Sequence, residues 1–209
     1  MEGKECAHEI QDANVFSSLL KEGKKQNKYG DCVYLYPPLY YKNSKSRLFV
    51  TPSGKAGLAV TQSGELVSVF SVPGKEENAI DNLMEIAKQA GACKALCYDT
   101  GLVEIYQKYC YQPVAQIPLT TALSDKPQYQ KFNNGKPNDV YLVLDEKKAL
   151  GTLSKEAAPY VQSHGEGALK QEEALRKIRA FLFSCKEKNT DCGIWDSGSL
   201  CDKQNSFHY

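Results

Sequence analysis

The chain has 209 residues, 42% hydrophobic and 24% charged, with 26 basic against 25 acidic side chains and a formal net charge of +1. This is the composition of a soluble globular domain with room for a substantial core, and so even a balance sets up no long-range field to draw in a polyanion. Arginine, the residue best suited to bidentate phosphate and guanine recognition, occurs only as Arg47, Arg176 and Arg179, which disfavours a dedicated nucleic-acid binder.

The opening residues, MEGKECAHEIQD, carry no apolar signal-peptide core, and no later run approaches the roughly 18 apolar residues of a membrane helix. A cytoplasmic location without membrane contact is therefore expected. The 8 cysteines include no C-x-x-C pair, so free thiols and no metal site are expected. Cys93, Cys97 and Cys110 fall in apolar segments, whereas Cys185, Cys192 and Cys201 lie toward the C-terminus.

In chain order, 12–28 opens with a capping aspartate, Asp12, followed by a partial apolar stripe of Val15, Phe16 and Leu19 and a lysine-rich end, the pattern of a helix. The aromatic segment 32–46 reads as extended, interrupted at Pro37-Pro38. Residues 47–51, 56–61 and 65–72 are strand-like runs joined by PSGK and QSG, which predicts an antiparallel meander. A helix over 77–91 follows, with Ile80, Leu83, Ala87 and Ala90 at helical spacing and Gly91 at its C-terminal end. Then come a strand at 94–99, a short helix running into a strand at 111–119, a polar loop at 124–138 and a strand at 139–145. A helix between the strands at 65–72 and 94–99 implies a parallel crossover in an otherwise antiparallel sheet. The fold class is α+β (mixed α/β), with a domain over 1–145 whose core is 47–145. A helical extension over 146–188 carries Leu175, Ile178 and Leu182 on one face, and 189–209, which includes Trp195, reads as a loose tail.

The segment after the strand at 94–99 reads Asp99-x-x-Leu102-x-x-Ile105-Tyr106-x-Lys108-x-Cys110-Tyr111. In that register, and with the order meander, crossover helix, strand, short helix and closing hairpin, residues 47–145 resemble the Gcn5-related N-acetyltransferase (GNAT) superfamily. The resemblance implies a central, mostly antiparallel sheet flanked by helices, acetyl-CoA as cofactor and an amine acceptor, either a small molecule or a protein. It implies that Tyr106 donates a proton to the departing thiolate. It further implies that the strand residues Val69, Phe70, Ser71 and Val72 hold the pantetheine, and that Gly74, Lys75 and Asn78, at the start of the crossover helix, hold the phosphates. Glu76 and Glu77 stand in that first turn, and a carboxylate there repels a pyrophosphate.

On helical spacing alone, Leu102, Ile105, Tyr106 and Tyr109 form one stripe toward the sheet, so Tyr106 also reads as a packing residue. Asp99 reads as a capping group and Glu65 as a solvated turn residue, and neither is assigned as a base. His8, His164 and His208 join no catalytic grouping, and the glycines of SHGEGALK follow no strand. Lysines at 21–28 and 42–47, with Tyr34, Tyr36, Tyr40 and Tyr41 between them, are the single basic-aromatic stretch. Three functions follow. The first is an acyl-CoA-dependent N-acyltransferase whose acceptor sits against 34–41 and 124–138. The second is a non-catalytic GNAT-like binding or regulatory protein, and the third a nucleobase-modifying enzyme. The altered cofactor loop and the lack of a base favour the second and the basic-aromatic stretch the third, while a resemblance to GNAT-like domains encoded by bacteriophages and mobile elements would place the protein in the host-cell cytoplasm.

Overall fold

The structure, a computed structural model, describes residues 7–74, 78–120, 122, 127–130, 132 and 135–187. Lys75, Glu76, Glu77, most of the loop at 124–134 and the segment 189–209 with Cys192, Trp195, Cys201 and His208 lie outside the described residues.

A short strand, β1 (His8–Ile10), precedes helix α1 (Ala13–Gln26). Asp12 caps α1 by accepting from the amides of Asn14 at 2.8 Å and Val15 at 3.4 Å. The buried stripe of α1 is Ala13, Phe16, Leu20 and Gly23, and Lys24 and Lys25 close it where positive charge suits the helix dipole. Gly23 has a specific reason to lack a side chain: a Cβ there would lie 2.5 Å from the ring of Phe70. The segment 32–46 is not extended throughout, as its aromatic content suggested. Residues Gly30–Cys32 form a 3₁₀ turn and Pro38–Asn43 form helix α2. Pro38 takes the first helical position, where a missing N–H costs nothing, so the Pro-Pro pair starts a helix.

The meander is β2 (Arg47–Val50), β3 (Ala56–Val60) and β4 (Glu65–Ser71). Helix α3 (Ala79–Gln89) crosses to β5 (Lys94–Tyr98), which pairs parallel to β4. The helix ends at Ala90, and Gly91 follows at φ +92°, the left-handed conformation that closes a helix. Helix α4 (Leu102–Gln107), β6 (Tyr111–Pro118), α5 (Pro127–Gln130) and β7 (Asn138–Leu144) complete the sheet. Among the described residues its order is β1-β2-β3-β4-β5-β7-β6, seven strands with one parallel pair. β7, apolar from Val140 to Leu144, lies inside, between β5 and β6, and β6, interrupted at Pro113, takes the edge. Helix α6 (His164–Glu187) occupies the later part of the expected helical extension over 146–188. Its start is a reciprocal cap: Ser163 Oγ accepts from the amide of Glu166 at 3.2 Å, and the Glu166 carboxylate accepts from the amide of Gln162 at 2.8 Å.

Both faces of the sheet are covered. On one, α3 and α4 bury Leu83, Met84, Ala87 and Val103 against Leu58, Leu66, Ala95, Val140 and Leu142. On the other, α1 and α2 bury Phe16, Leu20 and Tyr41 against Val50, Val67 and Phe70. On that same face, over β6 and β7, Ala174, Leu175 and Ile178 of α6 pack against Val143. Gln171, buried in α6, donates its amide to the carbonyls of Ala95 at 2.8 Å and Leu142 at 2.9 Å, fixing the helix to two strands. Between α1 and α6 the face stays open along β5, where Leu96 is 39% exposed.

Candidate active site

The site begins with a failure of strand pairing. β4 and β5 pair only through Glu65↔Lys94 and Leu66↔Ala95, so beyond Leu66 that edge of β4 has no partner strand. A bulge causes the divergence: the β3–β4 register shifts between Gly57 and Ala59, and Ser68 takes φ +55°. Ser68 tolerates that conformation because its hydroxyl shares a buried 2.8 Å hydrogen bond with the Tyr41 hydroxyl of α2. The opening is a cavity of about 290 Å³ that passes through the sheet. Ile80, Met84, Ile105, Tyr106 and Tyr109 line it on the α3/α4 side, and Lys24, Tyr34, Tyr36, Glu65, Tyr98 and Asp139 on the α1/α6 side.

A second cavity of about 310 Å³ shares Ser71, Ile80 and Tyr109 with the first and continues along Val72, Pro73, Gly74 and Asn78 to the start of α3. That start has no side-chain cap, and Asn78 before it is left-handed at φ +59°. The amides of the first turn therefore point into a pocket as donors, the usual arrangement for holding an anion. Lys55 lines the same pocket. Against this, Asp81 places a carboxylate in the first turn, where its Oδ1 accepts from the Tyr109 hydroxyl at 2.6 Å. Gly74 is there for its backbone conformation (φ +68°), since a Cβ would meet nothing within 4 Å.

Most of the residues singled out in the sequence lie along this one groove. Val69, Phe70, Ser71 and Tyr106 line the first cavity, and Val72, Gly74 and Asn78 the second. Lys75 lies outside the described residues. The Phe70 side chain is core, edge-on to Phe16 at 5.9 Å, so only its backbone is available to a ligand. The Ser71 carbonyl is already engaged, accepting from the Asn27 amide at 2.7 Å. Tyr106 meets the ring of Tyr111 edge-on at 5.6 Å, and its hydroxyl has no hydrogen-bond partner among the described residues. Burial pushes its hydroxyl pKa well above the ordinary tyrosine value, so it stays protonated. Tyr106 thus both packs and presents a proton to the cavity.

Other side chains stand differently from their sequence reading. Asp99 pairs with Lys155 at 2.8 Å; the same ammonium holds Glu104 of α4 at 2.8 Å. Glu65 is not a solvated turn residue. It lines the cavity half-buried, and burial raises its carboxyl above the ordinary range, with Lys94 acting the other way. Asp139 drew no attention in the sequence, yet it is 6% exposed, and burial pushes its carboxyl up to about 6. Its signal was an acidic residue opening an otherwise apolar inner strand. Tyr34, Tyr36 and Tyr40 form a contiguous aromatic group, with Tyr36 stacked on Tyr40 at 3.9 Å and tilted against Tyr34 at 4.5 Å. Cys32, which lines the cleft, is held by Thr100 at 3.4 Å and Tyr129 at 3.7 Å, and burial raises its thiol, which disfavours the nucleophilic thiolate.

No family model matches the sequence, and no curated protein does. Solved structures similar to the chain include the ribosomal-protein-S18-alanine N-acetyltransferase from Escherichia coli, at 6% identity and a TM-score of 0.44 over 66% of this chain and 91% of that one. They also include a ribosomal-protein-alanine N-acetyltransferase from Brucella melitensis, at 9% identity and a TM-score of 0.42 over 66% of this chain and 99% of that one.

Proposed function

We propose that this protein is an acyl-CoA-dependent N-acyltransferase. One observation carries the reading: an unpaired strand edge, an uncapped helix start and a buried tyrosine hydroxyl line one continuous groove, with two carboxylates facing it across the sheet. The groove fits an acyl-CoA. The free edge of β4 beyond Leu66 offers backbone groups to the amides of a pantetheine arm, and the first-turn amides of α3, with Lys55, offer donors to its phosphates. When bound, the cofactor supplies a thioester, an acyl group already activated toward an amine. Tyr106 holds its proton at neutral pH and gives it to the departing sulfur from the α4 side. The acceptor enters on the opposite side, between Tyr34, Tyr36 and Asp139.

A cofactor-free binding module is the second reading, and Asp81 favours it, because a carboxylate in the first turn of α3 opposes a bound pyrophosphate. A thiol-release assay with acetyl-CoA and a panel of amines separates the two. The acyltransferase releases thiol in an amine-dependent way, and Tyr106→Phe lowers kcat by about 100-fold or more. Equal rates for the two proteins remove Tyr106 from the chemistry. No amine-dependent release with any acceptor leaves the binding module.

A further inference from the structure

The open face of the cleft holds two carboxylates, Asp139 and Glu65, that no side chain among the described residues hydrogen-bonds. Asp139 accepts no side-chain hydrogen bond among the described residues, and the Nε2 of the exposed His164 is 4.0 Å away. Glu65 likewise has no hydrogen-bonded side-chain partner among the described residues. The adjacent Lys94 directs its ammonium to Glu172 at 2.9 Å, and Lys24, also at the cleft, donates to the Val33 carbonyl. A carboxylate withdrawn from water without a partner is costly, so the buried Asp139 and the half-buried Glu65 in one cavity point to a ligand that supplies positive charge.

The register of the sheet says how many charges. Glu65 stands beside Lys94, and Asp139 beside Tyr98, so four residues of β5 separate the two positions. At about 3.3 Å per residue that is roughly 13 Å along the strand. One ammonium reaches a carboxylate at about 2.8 Å and cannot serve both. Between the two acids lie Leu96 and the ring of Tyr36, which stacks on Tyr40. An apolar floor and a tyrosine ring suit methylene groups and the flank of a cation.

We propose that the acceptor is a linear aliphatic polyamine, its reacting nitrogen at Asp139 and a second ammonium at Glu65. This rests on the acyltransferase reading for the reaction, though not for the binding. Asp139 takes the reacting end because its neighbour on β5, Tyr98, adjoins Cys97, which packs with Tyr106 in the core, whereas Glu65 lies at the closed end where β4 and β5 still pair. The nitrogen lone pair attacks the thioester carbonyl carbon, the C–N bond forms and the C–S bond breaks. Asp139 has first taken one proton from the bound ammonium, which frees that lone pair, and the second proton that nitrogen sheds passes to water. The sulfur leaves with the Tyr106 proton, which water restores. The products are an amide and a free thiol.

Isothermal titration with spermidine and with n-butylamine, with and without coenzyme A, tests the proposal. Spermidine is expected to bind at least about tenfold more tightly than n-butylamine, as a second desolvated ion pair requires. Asp139→Asn and Glu65→Gln, both isosteric, are each expected to lower spermidine affinity about tenfold, and Glu65→Gln to leave n-butylamine unchanged. Equal affinity for the two amines, or wild-type spermidine binding by both variants, overturns the proposal. Acetyl-CoA titrated separately distinguishes the two readings. Spermidine preference without acetyl-CoA binding keeps the two-cation site and defeats the acyltransferase. Acetyl-CoA binding without spermidine preference defeats the two-cation site alone.

Discussion

Asp139 makes the energetics of the cleft measurable without knowing its ligand. In the unfolded chain its carboxyl has the ordinary value of 3.8, and in the fold burial pushes it up to about 6. A raised carboxylate favours the protonated fold, so the stability it allows is fully present below 3.8 and is lost as pH rises through about 6. Tenfold in an equilibrium is 1.36 kcal/mol, so the ionised Asp139 costs the fold about 3 kcal/mol at pH 8. Water entering the open side of the cavity reduces this to about 2 kcal/mol. Asp139→Asn removes the ionisation and, because Asp139 accepts no side-chain hydrogen bond among the described residues, breaks none of those seen there. For a domain of this size about 2 kcal/mol is roughly 4–8 °C in Tm. Thermal unfolding of both proteins at pH 8 and pH 4 is therefore expected to show the variant gaining about 4–8 °C at pH 8 relative to its difference at pH 4. Taking the difference between the two pH values cancels any fixed cost of the asparagine amide. Protonated His164, 4.0 Å away, favours the carboxylate, and a His164→Gln background removes its contribution. Tyr36, Tyr98 and Tyr141 feel the same carboxylate but stay neutral throughout this range. A gap between variant and wild type that is identical at both pH values would refute a buried, unpaired Asp139.

Three substitutions test the scaffold that opens the cleft. Tyr41→Phe strips the buried partner from Ser68 at the bulge, and urea unfolding should show a loss of about 1–3 kcal/mol. Gly23→Ala pits a helix-propensity gain of about 1 kcal/mol against a Cβ placed 2.5 Å from the Phe70 ring. Overpacking costs about 1–3 kcal/mol and should win, so a raised Tm would show that Phe70 gives way freely. Gln171→Glu keeps the shape of the side chain but turns a carboxylate toward the Ala95 and Leu142 carbonyls. It should destabilise by about 3 kcal/mol, and a change within 1 kcal/mol would mean that α6 does not depend on this anchor.

The core was legible in the sequence because its elements announce themselves locally. The turns at Gly54 and Gly64 punctuate the meander, both at positive φ, and the stripe of Leu83 and Ala87 gives the crossover helix its period. Even the place of β6 at the edge could be anticipated from Pro113, and the inner place of β7 from the apolar run over 140–144. What stayed hidden depends on neighbours distant in sequence. Asp139 and Glu65 look like strand-end surface acids until α1, α2 and α6 close around them. The segment 32–46 carries aromatic residues that suit a strand, but Pro38 is equally at home in the first turn of a helix, and tertiary packing of Tyr41 decides the outcome. The start of α6 was readable as Ser163-x-x-Glu166, a capping signature overlooked beside the two glycines.

The central claim, that the groove between β4 and β5 holds an acyl-CoA, is tested most directly by titrating acetyl-CoA into the intact protein and into Tyr106→Phe. The account predicts micromolar binding by both, since the cofactor is held by backbone groups and helix-end amides and not by the Tyr106 hydroxyl. No heat from either protein up to millimolar acetyl-CoA would contradict it, leaving Tyr106 a core tyrosine and the cleft a binding site for some other ligand.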